Sequence, residues 1–178
     1  MAFKGDLREA LIAAGLTLLD AEAEFSLRSV ARHAGVSAMA PYRHFADREA
    51  LLAAIAARGF ERLRERLLEA DAAPQPDAAL FAQGKAYVDF ALTSPALFRL
   101  MFVGTAKGKL PGGDMAYSVL ANRVRDLVPD APDAGVLTCW ATVHGLAMLA
   151  LDERLFGPPG PQVDAALSLL VDGLRARR

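Results

Sequence analysis

The chain has 178 residues, 53% of them hydrophobic, with a formal net charge of −1 and a single cysteine, Cys139. That is enough apolar material for one compact domain or two small ones sharing a helix, and one cysteine excludes both an intrachain disulfide framework and a cysteine-based zinc site. Asp6 and Glu9 interrupt what would be the apolar stretch of a signal peptide, and no apolar run of about 18–20 residues is free of charge and turn residues as a membrane span requires, so a soluble cytoplasmic protein without membrane contact is expected.

In chain order, Asp6 and Glu9 form a capping box for a first helix, in which Leu7, Leu11, Ala14 and Leu18 recur at helical spacing to about Asp20. Gly15 on this helix is placed for close packing against one of the two helices that follow. Residues 25–48, FSLRSVARHAGVSAMAPYRHFADR, then carry two short helical patterns flanking a Gly-Val-Ser turn, the arrangement of a DNA-reading helix-turn-helix. Ser26 caps the first of these, and Leu27, Val30, Ala31 and Ala34 share one face. Gly35 sits where the helix ends, in a conformation that costs a residue with a β-carbon about 1–2 kcal/mol. Val36 plugs the angle, and Ser37 caps a second helix carrying Met39, Tyr42, Arg43, His44 and Phe45. Pro41 removes that helix's first internal hydrogen bond and crowds the Ser37 carbonyl, so a short first turn of 3₁₀ character is expected.

The outer face of this second helix suits nucleic acid. Ala38, Met39 and Ala40 allow close approach to base edges, with methyl and thioether groups suited to thymine methyls, and Arg43 can pair with guanine. Tyr42, His44 and Arg48 can reach phosphates. Residues 26–48 hold four arginines, Arg28, Arg32, Arg43 and Arg48, against Asp47 alone, a local charge of +3 on a near-neutral chain. Binding through such a patch weakens steeply as salt rises.

Asp47 caps a fourth helix, with an apolar stripe of Leu51, Leu52, Ile55, Leu63 and Leu67, and charged pairs from Arg58 to Arg66 on the other side. It runs into residues 68–71, long enough to act as a lever, and the segment AAPQPD at residues 72–77 breaks it. A fifth helix with Leu80, Phe81, Tyr87, Val88, Phe90 and Ala91 stops at Ser94-Pro95, and Pro95 begins a sixth with Leu97, Phe98, Met101 and Phe102. Residues 104–114, GTAKGKLPGGD, read as a mobile loop; with no preceding strand and no nucleotide-binding glycine spacing they are not a phosphate loop. A seventh helix covers about Met115 to Val128, and an eighth, long and apolar, residues 133–156. The GPPGP stop at residues 157–161 precedes a last helix.

The last two helices are apolar on more than one face and have more to bury than one chain covers, which favours a homodimer through a four-helix arrangement. Val143, Leu146, Ala147 and Ala150 on one helix, and Val163, Ala166, Leu167, Leu170, Val171 and Leu174 on the other, are the expected interface. Phe90, Phe98, Met101, Phe102, Met115, Tyr117, Trp140, His144 and Met148 are the aromatic and thioether side chains from which an apolar ligand cavity can be made, and with no charge among them the effector should be small and mainly hydrophobic or aromatic. An enzyme is not expected. The three histidines are His33 and His44 in the head and His144 far along the chain, while Cys139 and His144 lie five residues apart and point to different faces of their helix.

These residues resemble the TetR family of bacterial transcriptional regulators. The specific matches are the amino-terminal helix, then FSLRSVARHAGVS, then YRHFADREALL, together covering residues 7–67. Arg48 stands where the family usually has lysine, and Pro41 where an aliphatic residue is common. The segment WATVHGLAMLALDERL, with Trp140, His144 and Gly145, is similar to a WHG-like ligand domain found in part of the family. The resemblance implies an all-α fold: a three-helix helix-turn-helix head over residues 1–46, and a helical ligand-binding and dimerisation domain over residues 47–178, entered through a connecting helix. It implies an Ω-shaped homodimer whose heads enter the major groove of a palindromic double-stranded operator, acting as a repressor released when a ligand moves the fourth helix. On that basis Ala38, Met39 and Arg43 face bases, Ser37, Tyr42, His44 and Arg48 hold phosphates, and Arg28 completes the DNA-binding set; no metal or cofactor is implied. The competing reading is a helical small-molecule-binding protein without specific DNA binding, for which Pro41 is the support.

Overall fold

A computed structural model describes residues 6–21, 23–102 and 113–177. Among these residues the protein has eight α-helices and no strand: α1 (Leu7–Asp20), α2 (Leu27–His33), α3 (Arg48–Ala70), α4 (Pro76–Thr93), α5 (Pro95–Phe102), α6 (Gly113–Leu127), α7 (Pro132–Leu151) and α8 (Pro159–Arg175), with a single 3₁₀ turn, Pro41–Arg43, between α2 and α3. The expected mobile loop at residues 104–114 lies, up to residue 112, outside the described residues.

Local chemistry sets most of the boundaries. Four helices open on a proline, Pro76, Pro95, Pro132 and Pro159, where the missing N–H leaves nothing unsatisfied and the fixed φ suits the first turn. Asp6 accepts the Arg8 N–H at 2.9 Å, and Asp47 accepts that of Ala50 at 2.7 Å. The reciprocal half of the expected box on α1 does not form, because the Glu9 carboxylate pairs instead with Arg58 of α3 and with Arg8. A full box forms on α2. There the Ser29 amide donates to the Ser26 hydroxyl at 3.0 Å and the Ser26 amide to the Ser29 hydroxyl at 2.8 Å, so a serine does what glutamate does in the usual motif.

Two helices end in the same hydrogen-bond pattern with different residues at its left-handed position. After α2, Gly35 has φ 69°, its N–H reaches the Arg32 carbonyl and that of Val36 reaches Ala31. After α7, Glu153 has φ 53°, its N–H reaches Ala150 and that of Arg154 reaches Leu149. The eighth expected helix, read from the sequence as running to Phe156, therefore stops at Leu151.

The chain forms two compact units, one comprising Met1–Gly59 with Ala96–Pro111, the other Phe60–Pro95 with Gly112–Arg178. The first unit buries Leu11, Val30, Ala31, Leu51, Ile55, Phe98 and Met101 almost completely. Gly15 does permit close packing, but against α3 rather than a reading helix: a β-carbon there would stand 2.6 Å from Ile55 Cδ1.

In the second unit α4 packs on α6, α7 and α8. Leu80, Val124, Leu127, Val136 and Cys139 form one buried cluster. Asp71, just past α3, accepts from Gln83 Nε2 of α4 at 2.6 Å and from Arg123 Nε of α6 at 2.7 Å, tying three elements through one carboxylate oxygen. By length and composition α7 is apolar enough to cross a membrane, contrary to the expectation that no such run is present. It packs against α4, α6 and α8, and a third of its apolar window is buried.

Candidate nucleic-acid interface

The segment after α2 holds the residues expected to read DNA. The Gly35 bend ends α2, and the chain then passes through turns at residues 38–40 into the 3₁₀ turn Pro41–Arg43. The Ala40 N–H donates to the Ser37 carbonyl at 2.9 Å, the tight spacing that Pro41 enforces. The 3₁₀ character expected from Pro41 is present. The continuous second helix is not, and Ser37 offers its carbonyl to this turn rather than capping an α-helix.

Only two side chains between residues 37 and 48 are buried, Pro41 and Phe45, and they anchor the segment to the first unit. Phe45 lies 4% exposed beneath the Arg8 guanidinium, 5.6 Å from its ring centre. Ser37, Ala38, Met39, Tyr42, Arg43 and His44 all face solvent, with Met39 67% and Tyr42 46% exposed. A thioether and a phenol exposed to that degree on a short, well-anchored segment contribute little to folding, and their polarity and size suit the groove of a duplex.

Arg28 and Arg32 are exposed along α2. Arg48 is also exposed, but its guanidinium has local work: Nε donates to the Phe25 carbonyl at 3.3 Å, the group lies 5.5 Å from the Phe25 ring centre, and it pairs with Glu49 at 3.6 Å. It ties the start of α3 to the residue preceding the α2 capping box. No local pattern signals that tie, because it joins positions 23 residues apart.

The aromatic and thioether residues expected to line a cavity divide between the units. Phe98, Met101 and Phe102 belong to the first, where Phe98 and Met101 are fully buried and the Phe98 and Phe102 rings lie 5.0 Å apart. In the second unit Phe90 is core, 1% exposed, beneath Arg66. Met115 is largely exposed and Met148 half-buried.

Tyr117, Trp140 and His144 form a ladder, edge to face at 5.9 Å and tilted at 6.5 Å. Its fourth member is Tyr87, which in the sequence is one residue of an apolar helix face. The Tyr87 hydroxyl and His144 Nδ1 share a 3.0 Å hydrogen bond. Burial pushes the Tyr87 phenol well up, opposed by the Trp140 indole N–H donating towards its oxygen, and burial lowers the His144 imidazole.

Of the expected interface residues, Val143, Ala147, Ala150, Val163, Leu167 and Leu174 are buried within the protomer, and Leu146, Ala166, Leu170 and Val171 are half-buried. The large apolar side chains that α7 and α8 leave exposed are Leu137, Leu149 and Leu169. Among the described residues no cluster of three metal-ligating side chains occurs.

Described residues whose regular structure is all helical, with a Gly-bent pair of short elements near the amino terminus and a second, larger helical unit, define the class of helix-turn-helix transcriptional regulators. Family comparison agrees in both parts: residues 11–55 match the bacterial regulatory proteins of the tetR family, and residues 80–174 match the tetracyclin repressor-like carboxyl-terminal domain. Among solved structures, a protein of unknown function from Rhodococcus sp. RHA1 is 32% identical, with a TM-score of 0.82 over 98% of this chain and 96% of that one. A transcriptional regulator, so described provisionally, from Pseudomonas aeruginosa PAO1 has 21% identity and a TM-score of 0.74, covering 95% of this chain and 90% of its own. A TetR family transcription regulator from Marinobacter aquaeolei VT8 has 18% identity and a TM-score of 0.68, covering 93% of each chain. No curated protein matches the chain by sequence. The chain belongs to the TetR family and is a DNA-binding transcriptional regulator of that family.

Proposed function

We propose that the protein is a cytoplasmic, non-enzymatic repressor that binds a palindromic operator as a homodimer and is released by a small, mainly hydrophobic or aromatic effector. The observation that carries the reading is the segment 37–44, anchored through Pro41 while Ser37, Ala38, Met39, Tyr42, Arg43 and His44 face solvent. In this reading Ala38, Met39 and Arg43 meet base edges, and Ser37, Tyr42, His44, Arg28 and Arg48 meet phosphates. The DNA-binding domain is residues 1–46, and residues 47–178 bind the effector and dimerise. The ladder of Tyr117, Trp140 and His144, with Met148 on the same helix and Tyr87 hydrogen-bonded behind it, supports an aromatic effector in the second unit.

The test is a mobility shift on the DNA immediately upstream of the protein's own gene, with excess nonspecific competitor, for the native chain and Tyr42→Ala. A specific, salt-sensitive shift lost in the variant supports the regulator. One observation favours a second reading, a helical ligand-binding protein without specific DNA binding: residues 38–43 form turns and one 3₁₀ turn instead of a reading helix. Random-site selection that recovers no sequence would favour it.

A further inference from the structure

The buried face of α4 carries polar groups as well as apolar ones. Leu80, Gln83 and Tyr87 recur three and four residues apart and share one face, with the Gln83 and Tyr87 β-carbons about 5–6 Å apart. Leu80 belongs to the buried cluster with Val124 of α6 and Cys139 of α7, and Tyr87 bonds His144 of α7, so this face meets α6 and α7. Gln83, 2% exposed, stands in the same row.

The polar atoms of the row can be accounted for one by one. The Tyr87 hydroxyl is engaged by His144 Nδ1 at 3.0 Å and by the Trp140 indole N–H. Asp71 Oδ1 accepts from Gln83 Nε2 and from Arg123 Nε. Gln83 Oε1 is buried and has no hydrogen-bond partner among the described residues. The orientation of the amide is fixed by Asp71: a carboxylate only accepts, so turning the amide over would set two acceptors together. The atom left over is therefore an acceptor, and a buried one without a donor is rare in a native interior. Nor is Gln83 needed to satisfy Asp71, since Arg123 gives the same oxygen a charged donor.

An aromatic surface leads towards this atom. Tyr117 is 43% exposed, Trp140 and His144 are half-buried, and Tyr87 is buried one helical turn from Gln83. The ladder thus grades from solvent to the row that holds the unpartnered oxygen.

We infer that the effector is an aromatic molecule bearing a hydrogen-bond donor, a hydroxyl or an N–H, which Gln83 Oε1 accepts while the ring lies against Trp140 and His144. A wholly apolar molecule would leave the oxygen unpaired, and a carboxylate would set a charge against it. The inference rests on the aromatic-effector reading above and adds the donor and the residue that selects it.

The test is isothermal titration calorimetry of the full chain with two matched pairs of probes, phenol against toluene and β-naphthol against β-methylnaphthalene. Each pair exchanges a hydroxyl for a methyl group. Trp140 is the one tryptophan of the chain, so its fluorescence reports whether phenol and toluene reach the ladder. The native protein should bind the hydroxyl member of each pair roughly tenfold more tightly, the ratio that one buried hydrogen bond carries. Gln83→Met keeps the length of the side chain and removes the acceptor, so both members should bind it alike, and Gln83→Leu repeats the measurement with a second shape. Both variants should fold, checked by thermal unfolding, because each removes an unpaired acceptor and leaves Asp71 its Arg123 partner.

No binding of any probe, with Trp140 emission unchanged, overturns the aromatic-effector reading and this inference together. Equal binding of the members of each pair by the native chain, or a hydroxyl preference that survives in the Gln83 variants, overturns the inference and leaves the aromatic effector standing.

Discussion

Segment 37–48 and the α7/α8 hairpin both turn side chains outward, but they call for opposite partners. The first presents a phenol, an imidazole, a thioether and guanidinium groups. The second presents, along α7, leucines, alanines and back-bonded threonines with no charge over residues 134–151, while the charges of the hairpin sit in the turn after α7 and on α8. Water solvates the first well, and its partner must offer anions and base edges. The second, an exposed apolar row, is costly to leave in water. A chain of net charge −1 thus carries both a cationic and an uncharged surface, which average composition conceals.

The contrast can be made within a single helix. Leu167 is 1% exposed and Leu169 74%, two residues apart on α8. Leu167→Ala should cost about 2–5 kcal/mol of unfolding free energy, read by urea denaturation. Leu169→Ala should leave protomer stability within about 0.5 kcal/mol and act on association instead. Equal destabilisation by both would erase the distinction between buried and outward faces of this helix.

On the polar surface, Arg43→Ala should weaken operator binding by about 1–3 kcal/mol and relax preference at one base position. Arg28→Ala should weaken binding to all sequences alike and lower the salt slope by about one. An Arg43 variant that binds every sequence equally less well would move that residue from base contact to phosphate contact.

The two left-handed helix ends give smaller and opposite effects. Gly35→Ala should destabilise by about 1–2 kcal/mol, whereas Glu153→Gly should stabilise by up to about 1 kcal/mol, both by thermal unfolding. The smallest effect concerns His144. Burial lowers its folded-state pKa below the ordinary value, so the unfolded chain binds the proton more readily between the two values. Stability contributed by the neutral ring is complete above the ordinary histidine pKa and declines as pH falls through the folded-state value. Comparing unfolding of the native chain and His144→Asn from pH 7 to pH 5 isolates it: the native chain should lose more stability across that range.

Much of the fold was legible because its boundaries are chemical. Ser26, Asp47 and the prolines at 76 and 95 mark helix starts through hydrogen bonds or their absence, and Gly35 marks a stop. The α7 stop was hidden because a glutamate occupies the position that glycine advertises. Burial of Val143 and Leu167 against exposure of Leu137 and Leu169 was hidden for another reason. On α7, apolar nearly all round, periodicity finds no single stripe, and on α8 Leu169 stands among the polar positions, so the pattern cannot say which leucines meet the protomer's own core. The Tyr87–His144 bond and the Arg48–Phe25 tie join positions far apart in the chain, which no local pattern encodes.

The way segment 37–48 is fastened has an evolutionary consequence. Its buried side chains are Pro41 and Phe45, and Arg48 ties its end to Phe25, so the exposed positions 38, 39, 42, 43 and 44 can be exchanged with little penalty in folding. On the proposed assignment of base and phosphate contacts, duplicated copies of such a gene can drift to new target sequences through these five codons while the rest of the protein stays under unchanged selection. A library randomised at those positions should consist mostly of well-folded members, sampling recognition almost independently of stability.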